Sequence, residues 1–235
     1  MTAEFYDILQ AAEDRRQAGR RFASAASAAR VGIVDVGAGT GIVTEVLLGS
    51  STAPVHAVEP AAAMRVALLT RLAGLRAEQR ARVTVHPTTL QKSDLTNVAD
   101  LVICSNIVGV LEPAERRAFW QATASALVPG GTLLLEPPPA TVPGSPTVED
   151  IAPVLVGADT YSAQVSTRQD RGLLSVTFTY RVEREDEVVR VAVEQFTMWP
   201  TPPETLVGEL CEAGLSVREG ADGLLRAVLG PAARA

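Results

Sequence analysis

Three closely spaced glycines near the start of the chain have the pattern of a turn that holds a nucleotide. They lie in the segment Val34-Asp35-Val36-Gly37-Ala38-Gly39-Thr40-Gly41, between a run of β-branched apolar residues and a helical pattern. Glycine allows a tight turn with positive φ, and it lets the backbone approach a ligand where a Cβ atom would clash. The first N–H groups of the following helix would point at whatever lies over the turn. We therefore expect a nucleotide-containing ligand there.

A carboxylate at the end of the next apolar run would complete this half of the site. Glu59 ends a predicted second strand, where a carboxylate can accept hydrogen bonds from both hydroxyls of a ribose. Nicotinamide cofactors and S-adenosylmethionine both need such a group. Ile42 stands where a dinucleotide-binding turn has its third glycine. Three interpretations stay open at this point: either cofactor, or a purely structural turn that packs a strand closely on a helix.

The elements that would position these residues alternate between strands and helices. Residues 4–29 predict one or two amphipathic helices ahead of the first strand. Because helical patterns then separate successive strands, we predict parallel pairing with right-handed crossovers. Prolines open two of these helices, at Pro60 and Pro113. The predicted strands are Val31–Val36, Val55–Glu59, Val83–His86, Leu101–Ser105 and Thr132–Glu136.

The pattern changes after Glu136. Residues 137–150 are rich in proline and predict a stiff loop, and three alternating strands with short turns follow as an antiparallel meander. A helix from Pro202 and two short strands then close the chain. The three meander strands are predicted at Ser162–Gln169, Leu173–Arg184 and Val188–Trp199. We assign residues 1–30 to an N-terminal helical cap, 31–140 and 200–235 to an α/β core, and 141–199 to an inserted β meander.

Four segments, in this order and spacing, resemble the class I S-adenosylmethionine-dependent methyltransferases. They are Val34–Gly41, His56–Pro60, Ala99–Asn106 and Leu127–Pro137. The closing helix with Ala213-Gly214-Leu215 and the two-strand ending are similar to the terminal antiparallel hairpin of that family. The resemblance implies a Rossmann-like sheet of seven strands with the last strand antiparallel, and S-adenosyl-L-methionine as the cofactor. Nicotinamide-binding domains do not end in this way.

The resemblance also implies a role for individual residues at the cofactor. Asp35 would lie under the methionine end, toward its amino group, and Glu59 would bind the ribose hydroxyls. The other implied contacts come from the glycine turn, the start of the next helix and the tip of strand four. These residues are Gly37, Ala38 and Gly39, which let the backbone approach, Pro60 and Met64, which cover the adenine, and Ser105 and Asn106, which border the methyl group.

One stretch departs from the family pattern. Family members usually carry an acid after strand three that holds the adenine amino group, whereas this chain has Pro87-Thr88-Thr89-Leu90. Thr88 or Thr89 would accept that hydrogen bond through its hydroxyl, or backbone and packing alone would hold the ring. We include Thr89 and Leu90 in the predicted cofactor-binding set.

The candidates for catalysis are Glu136, Asn106 and Tyr6. Glu136 ends strand five and would bind a substrate ammonium group or take a proton, or it would only pin a loop. Tyr6 would fold over the cofactor from the N-terminal helix, or serve only as a core residue. An unactivated hydroxyl needs a strong base whereas a neutral amine does not, so N-methylation is favoured over O-methylation. Ser105 and Asn106 supply no acidic ligand for a metal, and we expect none.

Bulk composition restricts the partners. The formal net charge is −6 over 235 residues, which argues against binding to nucleic acid. The N-terminal stretch contains acids and does not resemble a signal peptide, and no apolar run approaches the length of a membrane span. Two distant cysteines suit a reducing cytoplasm. The arginines between residues 65 and 82, at helical spacing, predict a solvated face.

The sequence therefore predicts a cytoplasmic methyltransferase of a small-molecule metabolite. The placement of the meander adds a looser resemblance to bacterial natural-product tailoring enzymes, including amino-sugar N-methyltransferases. The meander would be a substrate lid or the contact of a homodimer. Two alternatives stay open: a protein of the same fold that binds S-adenosylmethionine without transferring its methyl group, such as a cyclase or isomerase, and an NAD-dependent enzyme.

Overall fold

The computed structural model describes residues 3–231, which form two β-sheets and a long first helix. The helices are α1 (Ala3–Ala28), α2 (Ile42–Ser50), α3 (Ala62–Ala73), α4 (Ala77–Arg80), α5 (Pro113–Ala126) and α6 (Pro203–Glu212). The strands are β1 (Ile33–Val36), β2 (Val55–Val58), β3 (Val83–His86), β4 (Ala99–Cys104), β5 (Leu127–Leu135), β6 (Thr147–Val156), β7 (Asp159–Asp170), β8 (Leu173–Arg184), β9 (Glu187–Met198), β10 (Leu215–Glu219) and β11 (Leu225–Leu229).

The first sheet has seven strands in the order β10-β11-β5-β4-β1-β2-β3. The five strands from β1 to β5 pair in parallel, and β11 pairs antiparallel with β5. This confirms the predicted Rossmann-like sheet with a terminal antiparallel hairpin. All four residues of β1 are buried, because β1 lies between two strands and helices cover both faces. The carboxyl ends of β1, β2, β4 and β5 therefore meet at one edge of the sheet.

Two apolar clusters fill the two faces of this sheet. One includes Phe119 and Trp120 of α5 and Leu206 of α6. The other includes Phe22 of α1 and Leu47 of α2. Trp120 and Phe22 are almost fully buried, and burying a large side chain of this kind contributes about 1.5–3 kcal/mol to folding. The backbone at the functional edge is thus supported from both sides.

The second sheet has four antiparallel strands in the order β6-β7-β8-β9. Its strands β7, β8 and β9 include the three predicted meander strands, except that β9 ends one residue before Trp199. Strand β6 contradicts the prediction of an uninterrupted loop over residues 137–150, because β6 begins at Thr147. Its residues are mostly exposed and show no apolar–polar alternation. Pairing with β7, rather than burial, forms this strand. The assigned domain boundaries stay a prediction.

Helix α1 packs against both sheets. Its C-terminal half packs Phe22 and Ala26 into the core of the first sheet. Its N-terminal half places Phe5 against the second sheet, where the ring stacks on Tyr180 at 4.7 Å between centroids. The Arg190 guanidinium of β9 lies 5.2 Å from the centre of the Phe5 ring. The segment between these two anchors therefore lies beside both sheets.

Candidate active site

The glycine turn leaves open space over its backbone. Gly37, Gly39 and Gly41 have φ values of 71°, 57° and 89°, which other residues adopt only with strain. A Cβ atom on Gly37 would lie 2.7 Å from the Ile107 side chain. A Cβ atom on Gly39 would meet nothing closer than 3.8 Å. Gly37 and Gly41 are required by packing, whereas Gly39 exposes backbone that a ligand can approach.

Glu59 connects the ends of β1 and β2. Its carboxylate accepts hydrogen bonds from the backbone N–H groups of Gly39 at 2.9 Å and Ala61 at 2.7 Å, one at each oxygen. The residue is only 6 % exposed. Each carboxylate oxygen has a further lone pair, so the group can still accept bonds from ribose hydroxyls. Glu59 thus shapes the turn that approaches the cofactor.

Asp35 is a buried acid under the turn, at 1 % exposure. The Thr44 hydroxyl of α2 donates a hydrogen bond to it at 2.6 Å. Burial raises the pKa of Asp35 to about 6, the Thr44 bond opposes that rise, and the Glu59 charge adds to it. The hydroxyl of Thr40, also buried, has no hydrogen-bond partner within the described residues. A cationic amino group bound here would offset the cost of the buried Asp35 charge.

The predicted adenine contacts occupy different environments. Met64 and Thr88 are half-buried, whereas Pro60 and Thr89 are exposed. Leu90 is 4 % exposed and packs into the core of the first sheet with Val36 and Val58. The Leu90 side chain therefore packs beneath the predicted adenine region and does not line an open surface. The role of Thr88 or Thr89 stays a prediction.

Glu136 organises the tips of β4 and β5. The Ser105 hydroxyl and the Asn106 backbone N–H donate to one carboxylate oxygen at 3.0 and 2.8 Å, and Arg21 of α1 pairs with the other oxygen. Asn106 has a φ of 54°, a left-handed conformation that Asn tolerates better than most residues. Three donors already bind the Glu136 carboxylate. Its geometry is therefore that of a residue that holds a loop in place, the second of its two predicted roles.

Tyr6 lies on the same side of α1 as Arg21. Its hydroxyl donates a hydrogen bond to Asp14 at 2.8 Å. Burial raises the pKa of Tyr6, and the charges of Asp14, Asp7 and Glu136 raise it further. The Tyr6 hydroxyl therefore lies among acidic side chains of α1, and Tyr6 is not part of the apolar clusters.

Three further residues of the site escaped the sequence analysis: Asp14, Arg21 and Arg71. The first two follow Tyr6 at intervals of about two helical turns, a spacing that could have indicated a shared face. Arg71 is 13 % exposed and binds Asp7 at 2.5 Å, Glu45 at 3.3 Å and the Thr40 carbonyl at 2.9 Å. The prediction that Arg71 belongs to a solvated face was wrong, because Arg71 joins α1 to the glycine turn.

The residues present fit S-adenosylmethionine. Gly39 leaves backbone open to a ligand, Glu59 offers lone pairs beside it, and Asp35 is an acid that a cation would stabilise. Within residues 3–231, no three His, Cys, Asp or Glu side chains come together as metal ligands. No helix of the same residues is long and apolar enough to cross a membrane.

Comparisons with solved structures show the fold. CalS10 from Micromonospora echinaspora, an amino pentose methyltransferase solved with S-adenosylmethionine bound, has a TM-score of 0.70 at 23 % identity, over 93 % of this chain and 89 % of that chain. DesVI from Streptomyces venezuelae has a TM-score of 0.78 at 18 % identity, over 99 % of each chain. KedS8, a sugar N-methyltransferase from a Streptoalloteichus species, has a TM-score of 0.70 at 22 % identity, over 94 % of this chain and 87 % of that chain.

The sequence itself matches a methyltransferase domain family over residues 34–133. This range contains the glycine turn, Glu59 and strand β4, and it ends within β5. A search of curated protein sequences found no match to the chain. The NAD-dependent alternative is set aside by the domain match and by the terminal hairpin of β10 and β11. The chain thus carries a methyltransferase domain whose site fits S-adenosylmethionine as the cofactor.

Proposed function

We propose that this enzyme methylates the amine of a small, sugar-like metabolite. The observation that carries the proposal is the Asp14 carboxylate, which accepts a hydrogen bond from the neutral Tyr6 hydroxyl at 2.8 Å. Asp14 lies on the face of α1 from which Arg21 pairs with Glu136, at the tips of β4 and β5. An ammonium group is stabilised by nearby carboxylates, whereas a hydroxyl needs a strong base. The bound cofactor supplies a methyl group on a positively charged sulfur.

The second sheet supports a sugar-like substrate. The face of this sheet that packs against Phe5 of α1 carries a row of stacked rings, in which Phe178 lies 5.7 Å from Tyr180 and 6.1 Å from Phe196. Phe178 and Phe196 are only half-buried. The row leads to the end of β9, where the Trp199 N–H donates to the Gly109 carbonyl at 2.7 Å, just beyond the tip of β4. Half-exposed rings of this kind can pack on the apolar face of a substrate. We infer that the sheet is a substrate lid.

The relatives of known structure support the same substrate class. CalS10 and KedS8 are, by name, methyltransferases of an amino pentose and of a sugar nitrogen, and CalS10 takes part in calicheamicin biosynthesis. MtfA, a glycopeptide N-methyltransferase, shares the fold at a TM-score of 0.58. We therefore place the enzyme in natural-product biosynthesis. Both cysteines are free, which is consistent with the cytoplasm.

A matched panel of sugars tests the acceptor atom. The panel contains methyl glycosides of aminodeoxyhexoses and of an aminopentose, each beside the counterpart with a hydroxyl in place of the amine. We expect S-adenosylhomocysteine to form with at least one amino glycoside and not with its hydroxyl counterpart. Turnover of the hydroxyl counterparts alone would contradict N-methylation. Cofactor binding without turnover of any glycoside would favour the cyclase or isomerase alternative.

We also propose that the outer face of β9 joins two copies of this chain. Val189, Val191 and Val193 alternate along β9 and are 53, 53 and 62 % exposed. Strand β9 is at the edge of its sheet, and an exposed apolar edge strand favours pairing with another chain. Because the three valines repeat at strand spacing along that edge, a second β9 would present a matching surface.

Introducing a charge on this edge should separate the copies. We expect the wild-type protein to be a dimer by light scattering and Val191→Glu to be a monomer. Val66→Glu, at another exposed valine on α3 (68 % exposed), is the control and should remain a dimer. A wild-type monomer, or a dimer that tolerates Val191→Glu, would refute the interface.

A further inference from the structure

Asp14 has an unusual combination of partners. Its carboxylate is partly buried and accepts a hydrogen bond from the Tyr6 hydroxyl at 2.8 Å. No Arg, Lys or His of residues 3–231 forms an ion pair with it. The other acids of α1 do have cationic partners. Glu13 pairs with Arg16, and Asp7 pairs with Arg71. Among the acids that the structure describes in α1, Asp14 is thus the one whose partner, the Tyr6 hydroxyl, is an uncharged hydrogen-bond donor.

The groups that face Asp14 make its charge costly. Burial raises the pKa of Asp14, the Tyr6 hydrogen bond lowers it, and the charges of Glu136, Glu13 and Asp7 raise it again. Arg21 is the cation nearest along this face of α1, but it is engaged by Glu136. A carboxylate among other carboxylates is stabilised by a cation or by a proton. Within the described part of the chain, nothing supplies that cation.

Asp14 lies on the face of α1 that contacts the tips of β4 and β5. Asp14 and Arg21 are about two helical turns apart, and Arg21 contacts Glu136, which in turn holds Ser105 and Asn106. The Tyr6 ring reaches along the helix toward Asp14 and presents its hydroxyl there. The two groups therefore lie on the helix face that is turned toward the tips of β4 and β5, where the cofactor's methyl group is expected.

We propose that Asp14 binds the substrate's ammonium group and takes its proton, while the Tyr6 hydroxyl orients the carboxylate. This inference rests on the proposed N-methylation. In the first step an N–H bond of R–NH₃⁺ breaks, and the proton moves to the Asp14 carboxylate, leaving R–NH₂ and a neutral Asp14. In the second step the nitrogen lone pair forms the N–CH₃ bond, and the electrons of the broken S–CH₃ bond stay on sulfur. Asp14 then returns its proton to water.

The role predicts a pH-dependent defect in Asp14→Asn, which keeps the size of the side chain and an acceptor for Tyr6. With the amino glycoside of highest turnover, we expect kcat/KM to fall about 100-fold near pH 7. The deficit should shrink above about pH 9, because a growing fraction of the amine is then already neutral in solution. A merely structural role would lower the activity equally at every pH. Asp14→Glu should recover part of the loss.

Binding without turnover provides an independent measurement. In protein saturated with S-adenosylhomocysteine, calorimetry should show that Asp14→Asn binds the amino glycoside at least about tenfold more weakly. The hydroxyl counterpart should bind the variant and the wild type equally. The affinity for S-adenosylhomocysteine itself should change less than about twofold, since no cofactor contact is assigned to Asp14. Glu78→Gln, which removes the same charge from an exposed position on α4, should leave all three measurements unchanged.

The outcomes separate this inference from the proposed function. If wild type methylates an amino glycoside and Asp14→Asn stays within about threefold of it at every pH, the role of Asp14 is refuted and N-methylation stands. If only hydroxyl counterparts are methylated, both are refuted. A loss confined to neutral pH, together with weaker amine binding, supports both.

Discussion

Glu59→Ala should weaken the binding of S-adenosylhomocysteine at least about 100-fold. The expected loss comes from two hydrogen bonds to ribose hydroxyls, each worth about 1.5–3 kcal/mol because the acceptor is charged. The structure adds a second cost. The Glu59 carboxylate also holds the N–H groups of Gly39 and Ala61, so its removal frees the turn that must approach the cofactor. Isothermal titration calorimetry measures the affinity directly.

Glu59→Gln removes the charge of the side chain without leaving a cavity, so it separates the effect of lost charge from the effect of lost volume. The amide keeps the volume of the side chain but presents an NH₂ group to one of the two backbone donors. We therefore expect a loss of similar size to that of Glu59→Ala. Glu78→Gln, an exposed acid of α4, is the control and should bind as the wild type does. An affinity within about threefold of wild type in Glu59→Ala would refute the ribose assignment.

Asp35→Asn should stabilise the cofactor-free protein and weaken cofactor binding at the same time. The pKa of Asp35 is raised to about 6 by burial, so the folded protein keeps this proton to a higher pH than the unfolded chain does. The stability that this protonated form contributes is fully present below about pH 4 and is lost as the pH rises through about 6. At neutral pH the variant should therefore be more stable by about 1–3 kcal/mol. Urea unfolding at pH values on either side of this window tests the sign.

The same substitution should remove a pH dependence from cofactor binding. If Asp35 binds the cofactor's amino group, the affinity of the wild type rises as the pH increases through about 6, because the carboxylate must be charged. In Asp35→Asn the affinity should be about 100-fold lower at neutral pH and flat across this window. Thr44→Val removes the hydrogen bond that lowers the pKa of Asp35. The pH midpoint of cofactor binding should therefore be higher in this variant than in the wild type. Equal pH profiles in wild type and Asp35→Asn would exclude the contact.

Most of the cofactor half of the site followed from local sequence. The glycine turn, Glu59 and the strand patterns that carry them are local features, because backbone conformation and strand burial depend on neighbouring residues. The parallel sheet follows from the helices between the strands, since such crossovers have one hand. The structure confirms this sheet and its terminal hairpin.

Predictions failed where long-range contacts decide the structure. Strand β6 lacks an apolar face and forms because β7 lies beside it. Arg71 occurs in a helical pattern of charges, yet its partners Asp7 and Glu45 come from two other helices. Neither the pairing of an exposed strand nor an ion pair across three helices leaves a periodic signal in the sequence.

The sequence by itself determined the class of cofactor and the sheet that carries it, because the turn, the acid at the end of β2 and the strand order are encoded in short segments. Only the tertiary structure decided how the other half of the site is assembled. Glu136 had two open roles until Arg21, Ser105 and Asn106 were found at its carboxylate. Asp14 had no assigned role until α1 brought it, with Tyr6, beside those residues. The physical reason is that α1 is anchored at one end in the core of the first sheet and at the other end on the second sheet.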